Sequence, residues 1–232
     1  MKSHPLNPNL TQLLLAAARL QPLLPEIVFV GGCVTGLLLT DPGAAPIRPT
    51  LDVDAIVEIA SYADFTRLEN QLLGLGFRRN EAALICRWFA DDLILDLMPT
   101  DPSILGFSNL WYSPALKNAE VIRIEEHRIR VITAPYFLAT KLEAFRGRGK
   151  ADYGMSHDLE DIITILDGRP ELADEVSKSP RDLRQYLGTE FRSLLDNLAF
   201  RDALPGHLLP DAISQERITI VLQRIRGIIA LL

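Results

Sequence analysis

Three acidic side chains stand where they could do chemistry together. Asp52 and Asp54 alternate within the apolar segment 51–58, and Asp96 lies inside a second apolar segment, 93–98. Because side chains alternate between the two faces of a strand, Asp52 and Asp54 share one face. Carboxylates held this close repel each other, and a carboxylate within an apolar strand is costly unless it is paired or binds a metal. The pattern predicts a catalytic metal site for Mg²⁺, or Mn²⁺, at Asp52, Asp54 and Asp96.

A pair of glycines precedes these carboxylates. Gly31 and Gly32 follow the apolar segment 27–30 and come before a short segment with helical character. Glycines allow a backbone to approach a ligand closely, and the N-terminus of a helix attracts anions. A glycine turn facing phosphates, with carboxylates that hold Mg²⁺, is the minimum needed to transfer a nucleotide.

Simpler interpretations of the same residues stay open. An isolated Asp-x-Asp, such as Asp52 and Asp54, is often the solvent-exposed face of an edge strand. Arg48 and Thr50 could serve only to anchor a loop. The combination with the glycine pair and Asp96 favours the catalytic interpretation of the carboxylates.

Composition limits the class of protein. The 232 residues are 48% hydrophobic and 23% charged, as is usual for one large or two small globular domains. The net charge of −6 argues against a surface that is basic throughout, although a local basic groove is compatible with it. Cys33 and Cys86 lie in apolar segments without metal-ligand spacing, which is typical of a reducing cytoplasm. Charged residues and prolines interrupt the apolar stretches, so no membrane span is expected.

The hydrophobic periodicity changes along the chain. Strands are predicted at 27–30, 51–58, 84–90, 93–98, 121–124 and 129–132, with a hairpin-like turn at Asp91 and Asp92. Helices are predicted at 10–24, 36–40 and 62–75, the last with Ser61 as its N-cap. After Pro135, helical spacing recurs at 136–145, 157–166, 181–197 and 214–229. We therefore predict an α/β (α+β) fold, with a mixed-sheet core in residues 1–133 and a helical domain in residues 134–232.

The ordered set of motifs resembles a known superfamily. The chain is similar to the nucleotidyltransferase superfamily with the polymerase-beta-like core in three features: Gly31-Gly32, then Arg48-x-Thr50-x-Asp52-x-Asp54, and the later Asp96. The segments 139–150 and 156–161 resemble more closely the AbiEii-like nucleotidyltransferase toxins of abortive-infection and toxin–antitoxin systems. The resemblance covers roughly residues 27–166.

This resemblance implies a role for individual residues. Asp96 would complete the metal site and help to activate the acceptor, and the helical domain would complete the nucleotide site. Many relatives have a serine in the glycine turn where this chain has Gly32, and the Thr35 hydroxyl is expected to replace it. Lys141, and second to it Arg148, would neutralise phosphate charge. The residues expected at the nucleotide are Gly31, Gly32, Thr35, Lys141, Arg148 and Asp158.

The resemblance implies a Mg²⁺-dependent enzyme that moves an NMP from an NTP to an acceptor hydroxyl. A tRNA 3′ end is favoured as acceptor because the segment 141–150 has four basic residues against one acidic residue. Lys117, Arg123, Arg128 and Arg130 are possible extensions of this basic path. A protein hydroxyl or a small molecule remains an alternative. A different class is a nucleotide-binding or interaction protein with little turnover, which the three intact aspartates argue against. A cognate antitoxin protein is a further expected partner.

Overall fold

Six strands in the first part of the chain form one mixed sheet in the order β3-β4-β2-β1-β6-β5. The strands are β1 (Ile27–Val30), β2 (Asp52–Val57), β3 (Arg87–Ala90), β4 (Leu93–Pro99), β5 (Glu120–Ile124) and β6 (His127–Val131). Strand β2 is antiparallel to β1 and parallel to β4, and β1 is parallel to β6. The hairpins β3–β4 and β5–β6 are antiparallel. The predicted α/β fold with a mixed sheet is confirmed.

The computed structural model describes residues 7–59, 61–80, 82–149 and 151–232, and within these ranges the chain divides into two units. Unit 1 consists of residues 7–37 and 48–133, and it contains the whole sheet. Unit 2 consists of residues 38–47 and 134–232. Unit 2 therefore includes a segment, 38–47, that precedes strand β2 in the chain.

Helix α1 covers the sheet of unit 1 with an apolar stripe. The helices of residues 10–117 are α1 (Leu10–Arg19), α2 (Thr35–Leu38), α3 (Tyr62–Gly74), α4 (Pro102–Leu105) and α5 (Tyr112–Lys117). Leu13, Ala16 and Ala17 of α1 are fully buried. The predicted helix 10–24 was too long, because the chain turns into a short 3₁₀ segment that carries Pro22, and proline cannot continue an α-helix.

Two local predictions in unit 1 had different outcomes. The predicted N-cap of α3 is confirmed, since the Ser61 Oγ accepts a hydrogen bond of 3.2 Å from the Asp64 backbone N–H. The predicted start of β3 at residue 84 was wrong. The backbone N–H of Arg87 donates to the Leu84 carbonyl, so a turn occupies the preceding residues and the strand begins at Arg87.

Unit 2 is built from helices. They are α6 (Ala134–Arg148), α7 (His157–Gly168), α8 (Leu172–Ser177), α9 (Arg181–Asp196), α10 (Leu198–Ala203), α11 (Ala212–Glu216) and α12 (Ile218–Ile229). Helix α6 packs on α7 and α9, and Ile162, Phe191 and Ile225 are fully buried. The helix predicted over 214–229 is divided at Arg217 into α11 and α12. Among the described residues, every helix is too short or too polar to cross a membrane.

Candidate active site

The sheet places one basic and two acidic side chains in a row across three neighbouring strands. Asp54 of β2 is the register partner of Asp96 of β4, and Asp96 is the partner of Arg87 of β3. Register partners point to the same face of a sheet, and Asp52 shares that face because it lies two residues before Asp54. We call Asp52, Asp54 and Asp96 the acidic cluster.

The glycine turn lies directly against this cluster. Val30, the last residue of β1, pairs with Asp54, and Gly31 follows with φ 67° and ψ −164°. That backbone conformation is essentially restricted to glycine. A Cβ atom on Gly31 would lie 2.0 Å from Oδ2 of Asp54, so any side chain would collide with the carboxylate. The turn therefore requires glycine in order to make room for Asp54 itself.

Arg87 joins two members of the acidic cluster. Its Nε and Nη2 donate to Oδ1 and Oδ2 of Asp96, each at 2.7 Å, and Nη2 also donates to Oδ2 of Asp52 at 2.7 Å. These hydrogen bonds, with Asp96 as the largest cause, raise the pKa of Arg87 above its ordinary value. A two-pronged contact between arginine and carboxylate is among the strongest charged hydrogen bonds in proteins.

Arg87 was not among the predicted site residues, although the sequence contains a signal for it. The turn at Asp91 and Asp92 was predicted, and counting outward from that turn pairs Ala90 with Leu93 and Arg87 with Asp96. A basic residue directly opposite a carboxylate in an antiparallel pair is a favourable cross-strand pair.

A buried asparagine connects the glycine turn to the strand with the carboxylates. Asn9 donates through Nδ2 to the carbonyl oxygens of Gly32 (3.2 Å) and Arg48 (3.1 Å), and its Oδ1 accepts from the Thr50 N–H at 2.9 Å. The Thr50 hydroxyl then donates to Oδ1 of Asp52 at 2.7 Å. Asn9, which the sequence analysis also missed, thus holds the segment before Asp52 in place, and Thr50 orients that carboxylate.

The donor set suits a hard divalent cation, but the arrangement shown does not form a metal site. Carboxylate oxygens are the ligands that Mg²⁺ prefers. In the described parts of the chain, however, no group of three or more His, Cys, Asp or Glu side chains is arranged to hold a metal ion. The Arg87 guanidinium binds both oxygens of Asp96 and one oxygen of Asp52, so a positive charge already stands between these two predicted ligands.

Both cysteine side chains are buried. The Cys33 thiol is buried and donates to the Val30 carbonyl at 3.1 Å. Burial, and second to it the charge of Asp96, raises the pKa of the Cys86 thiol to about 11. A thiol that stays protonated near neutral pH is a poor nucleophile.

Thr35 lies at the start of α2, after the glycine turn. Its side chain is buried, and within the described residues its Oγ1 has no hydrogen-bond partner. A buried hydroxyl without a partner costs free energy. Its expected contact with a phosphate remains a prediction.

Unit 2 holds a second group of charged residues, which we call the helical ion-pair cluster: Lys141, Arg148, Asp158 and Asp161. Lys141 Nζ lies 2.6 Å from Oδ2 of Asp161 and 3.3 Å from Oδ1 of Asp158. Arg148 donates through Nε and Nη2 to both oxygens of Asp158, at 3.0 and 2.9 Å. Burial raises the pKa of Asp158, but hydrogen bonds from Arg148 and the charge of Lys141 outweigh it and hold the pKa below its ordinary value.

The members of this cluster come from two helices. Lys141 lies on α6, whereas Asp158 and Asp161 are one helical turn apart on α7 and point to the same side. Lys141, Arg148 and Asp158 were predicted as site residues, whereas Asp161 was not. The spacing of three residues between the two aspartates was the available signal.

The other basic residues considered for an acceptor path also make contacts within their own unit. Arg146 pairs with Glu190 at 3.0 Å. Arg130 donates to the carbonyl oxygens of Leu116 (2.7 Å) and Pro25 (3.2 Å), which anchors the β5–β6 hairpin. Lys150, the last member of the basic segment, lies outside the described residues.

The predicted site residues thus fall into two groups. Unit 1 contains Gly31, Gly32, Thr35, Asp52, Asp54 and Asp96, and unit 2 contains Lys141, Arg148 and Asp158. Within unit 1 the sheet brings the acidic cluster and Gly31 together, and within unit 2 two helices bring the predicted phosphate-binding residues together.

Comparison with solved structures identifies related folds. An antigenic nucleotidyltransferase-like protein from Paracoccidioides brasiliensis is similar over 85% of this chain and 92% of that chain, with 20% identity and a TM-score of 0.51. The structure of JHP933 from Helicobacter pylori covers 96% of this chain and 92% of that chain, with 16% identity and a TM-score of 0.47. No family model and no curated protein matches the chain.

The likeness to the Paracoccidioides protein is one of fold. It shows a shared fold over most of both chains, in agreement with the α/β fold expected from the sequence. The narrower AbiEii-like family is not confirmed by these comparisons.

Proposed function

We propose that this chain is a nucleotidyltransferase that moves an NMP from an NTP to an acceptor hydroxyl. The observation that carries the proposal is the register of β2 and β4, which sets Asp54 beside Asp96 and next to the Gly31 turn. Acidic side chains on adjacent strands repel each other unless a cation neutralises them, and such clusters are frequent at catalytic sites. The nucleotidyltransferase-like fold supports the same class of chemistry.

The reaction is a displacement at the α-phosphorus. The acceptor oxygen forms a bond to the α-phosphorus, the bond from that phosphorus to the oxygen bridging to the β-phosphate breaks, and pyrophosphate leaves. The hydroxyl proton passes to a carboxylate of the acidic cluster, and Asp96 is the general base we propose. Asp54 lies beside it, and Thr50 and Arg87 orient Asp52.

A Mg²⁺ or Mn²⁺ ion bound by Asp52, Asp54 and Asp96 would supply positive charge against the phosphate oxygens. The role of the chain itself is to position these carboxylates through the sheet register and through the Asn9 and Thr50 contacts. We further propose that Lys141 and Arg148 bind phosphate oxygens, with Asp158 holding both cationic groups in place.

The acceptor and the biological setting rest on the sequence. An RNA 3′ end, such as that of tRNA, is the acceptor we propose first, because the segment 141–150 concentrates basic residues in an acidic chain. The role as a cytoplasmic toxin with a cognate antitoxin follows from the resemblance to the AbiEii-like family. The contacts of Arg87 favour one alternative, a nucleotide-binding protein with little turnover, because they occupy two of the three carboxylates.

Label transfer tests the proposal and identifies the acceptor. The wild-type chain is incubated with each α-labelled NTP, Mg²⁺ or Mn²⁺, and total cellular RNA or protein. We expect label in RNA, and no label with the Asp52→Asn/Asp54→Asn double variant. Label confined to protein would show that the acceptor is a protein rather than RNA, and the proposed transferase activity would stand. Unchanged transfer by a folded double variant would overturn the assignment of the carboxylates, and no transfer by the wild type to any acceptor would favour the alternative without turnover.

A further inference from the structure

The position of Arg87 has consequences that reach beyond the proposed reaction. Its three hydrogen bonds reach Asp96 twice and Asp52 once, all at 2.7 Å. The residue comes from β3, at one edge of the sheet, and its place opposite Asp96 is set by the β3–β4 register. A guanidinium therefore stands at the oxygens that a divalent cation would need.

The burial of this group makes an exchange of cations physically reasonable. The side chains of Arg87 and Asp52 are 26% and 29% exposed, whereas that of Asp96 is 9% exposed. Water can therefore solvate the guanidinium if it leaves the carboxylates, and an ion from solution can reach the exposed side of Asp52. Removing a fully buried cation would instead carry a large desolvation cost for the charges left behind.

The Arg87 guanidinium and a divalent metal ion bind carboxylates in different ways. A guanidinium neutralises carboxylates by hydrogen bonds at fixed angles, whereas a divalent ion binds the same oxygens directly and with twice the charge. Both cannot occupy the same oxygen lone pairs of Asp96. The occupant therefore depends on the concentration of the divalent ion.

We propose that Arg87 is an internal counter-ion of the acidic cluster, and that Arg87 and a divalent cation exclude each other at Asp96 and Asp52. This inference rests on the proposed function, in which the cluster takes a divalent ion. The Arg87-bound form keeps the carboxylates together without metal. Metal binding displaces the guanidinium, so Arg87 lowers the apparent affinity of the site for metal.

Calorimetric titration of the full chain with Mn²⁺, without nucleotide, tests this directly. Arg87→Gln should bind Mn²⁺ at least about tenfold more tightly than the wild type, which corresponds to about 1.4 kcal/mol. Arg87→Lys should lie between them, because an ammonium cannot make the two-pronged contact. Adding Asp54→Asn to Arg87→Gln should abolish the gain.

Thermal unfolding gives a second readout and a matched control. Without metal, Arg87→Gln should unfold at a lower temperature than the wild type, and Mn²⁺ should raise its Tm by more. Arg169→Gln removes another two-pronged pair, with Glu175 in unit 2, and should leave Mn²⁺ affinity unchanged. If Arg87→Gln fails to fold, Arg87→Lys carries the same comparison.

The contrary outcomes separate this inference from the proposed function. Equal Mn²⁺ affinity in wild type and Arg87→Gln would overturn the exclusion, and weaker affinity would show that Arg87 positions the carboxylates for the ion. Either result leaves the proposed transferase intact. If no variant binds Mn²⁺, both the exclusion and the proposed metal are wrong, and label transfer in the presence of a chelator then decides whether the transferase survives.

Discussion

The two charged clusters of this protein use similar groups in different surroundings. The acidic cluster of unit 1 is assembled by strand register, and Arg87 and Asp52 are partly open to water, whereas the Asp96 side chain is 9% exposed. In the helical ion-pair cluster of unit 2, the side chains of Lys141, Asp158 and Asp161 are only 11%, 7% and 5% exposed, whereas that of Arg148 is 73% exposed. The difference lies in access to solvent rather than in the kinds of residue.

Solvent access decides what each cluster can do. Opening a buried ion pair leaves an uncompensated charge, so Lys141, Asp158 and Asp161 stabilise the unit 2 core whether or not Lys141 also contacts a phosphate. A partly exposed pair contributes little to stability, and its partners can be exchanged. This contrast indicates that Lys141 contributes to the stability of unit 2, whereas the cation bound to the acidic cluster of unit 1 can be exchanged.

The largest effect on stability is expected from Lys141→Ala. Removing the ammonium leaves Asp158 and Asp161 buried beside each other, so the free energy of unfolding should fall by about 3–5 kcal/mol, the usual cost of breaking a buried pair. Urea denaturation measures this loss, and calorimetry on the fraction that remains folded measures NTP binding.

Arg148→Ala is the matched control, because Arg148 contacts the same Asp158 with a side chain that is largely exposed. Its effect on stability should stay below about 1 kcal/mol, whereas NTP binding should weaken if the proposed phosphate contact exists. Equal losses of stability in the two variants would contradict the contrast drawn from burial. Unchanged NTP affinity in Arg148→Ala would remove it from the proposed nucleotide site.

An effect on stability between those of Lys141→Ala and Arg148→Ala is expected from Gly31→Ala, which disturbs the acidic cluster without removing a charge. The positive φ costs about 1–3 kcal/mol with a side chain present, and the new Cβ must displace Asp54. Label transfer should fall together with stability. Gly147→Ala is the control, because a Cβ there meets nothing within 4 Å and the position is helical. A Gly31→Ala variant as stable and as active as Gly147→Ala would contradict the close packing on Asp54.

The elements that carry the carboxylates could be predicted because their signals are local. Strand β1 was predicted with its observed bounds, and alternation within β2 placed Asp52 and Asp54 on one face. The Ser61 cap of α3 was recognisable from its residue type. These features depend on residues adjacent in sequence, where propensity and periodicity are informative.

The partners of the carboxylates were harder to predict because they depend on register and on packing. Arg87 reaches Asp96 only because of the pairing of β3 with β4, and the predicted start of β3 was itself wrong. Asn9 lies far from Thr50 in sequence and meets it through the fold. Asp161 required knowledge that α6 and α7 pack together, which helical periodicity alone does not supply.

The central claim is tested most directly by the rate of label transfer from an α-labelled NTP, measured side by side for Asp54→Asn and Asp92→Asn. Asp92 is an exposed carboxylate in the β3–β4 turn, so its replacement removes the same charge outside the acidic cluster. We predict that Asp54→Asn lowers the rate at least about a hundredfold, while Asp92→Asn transfers label like the wild type. Equal rates for the two folded variants would contradict a catalytic acidic cluster.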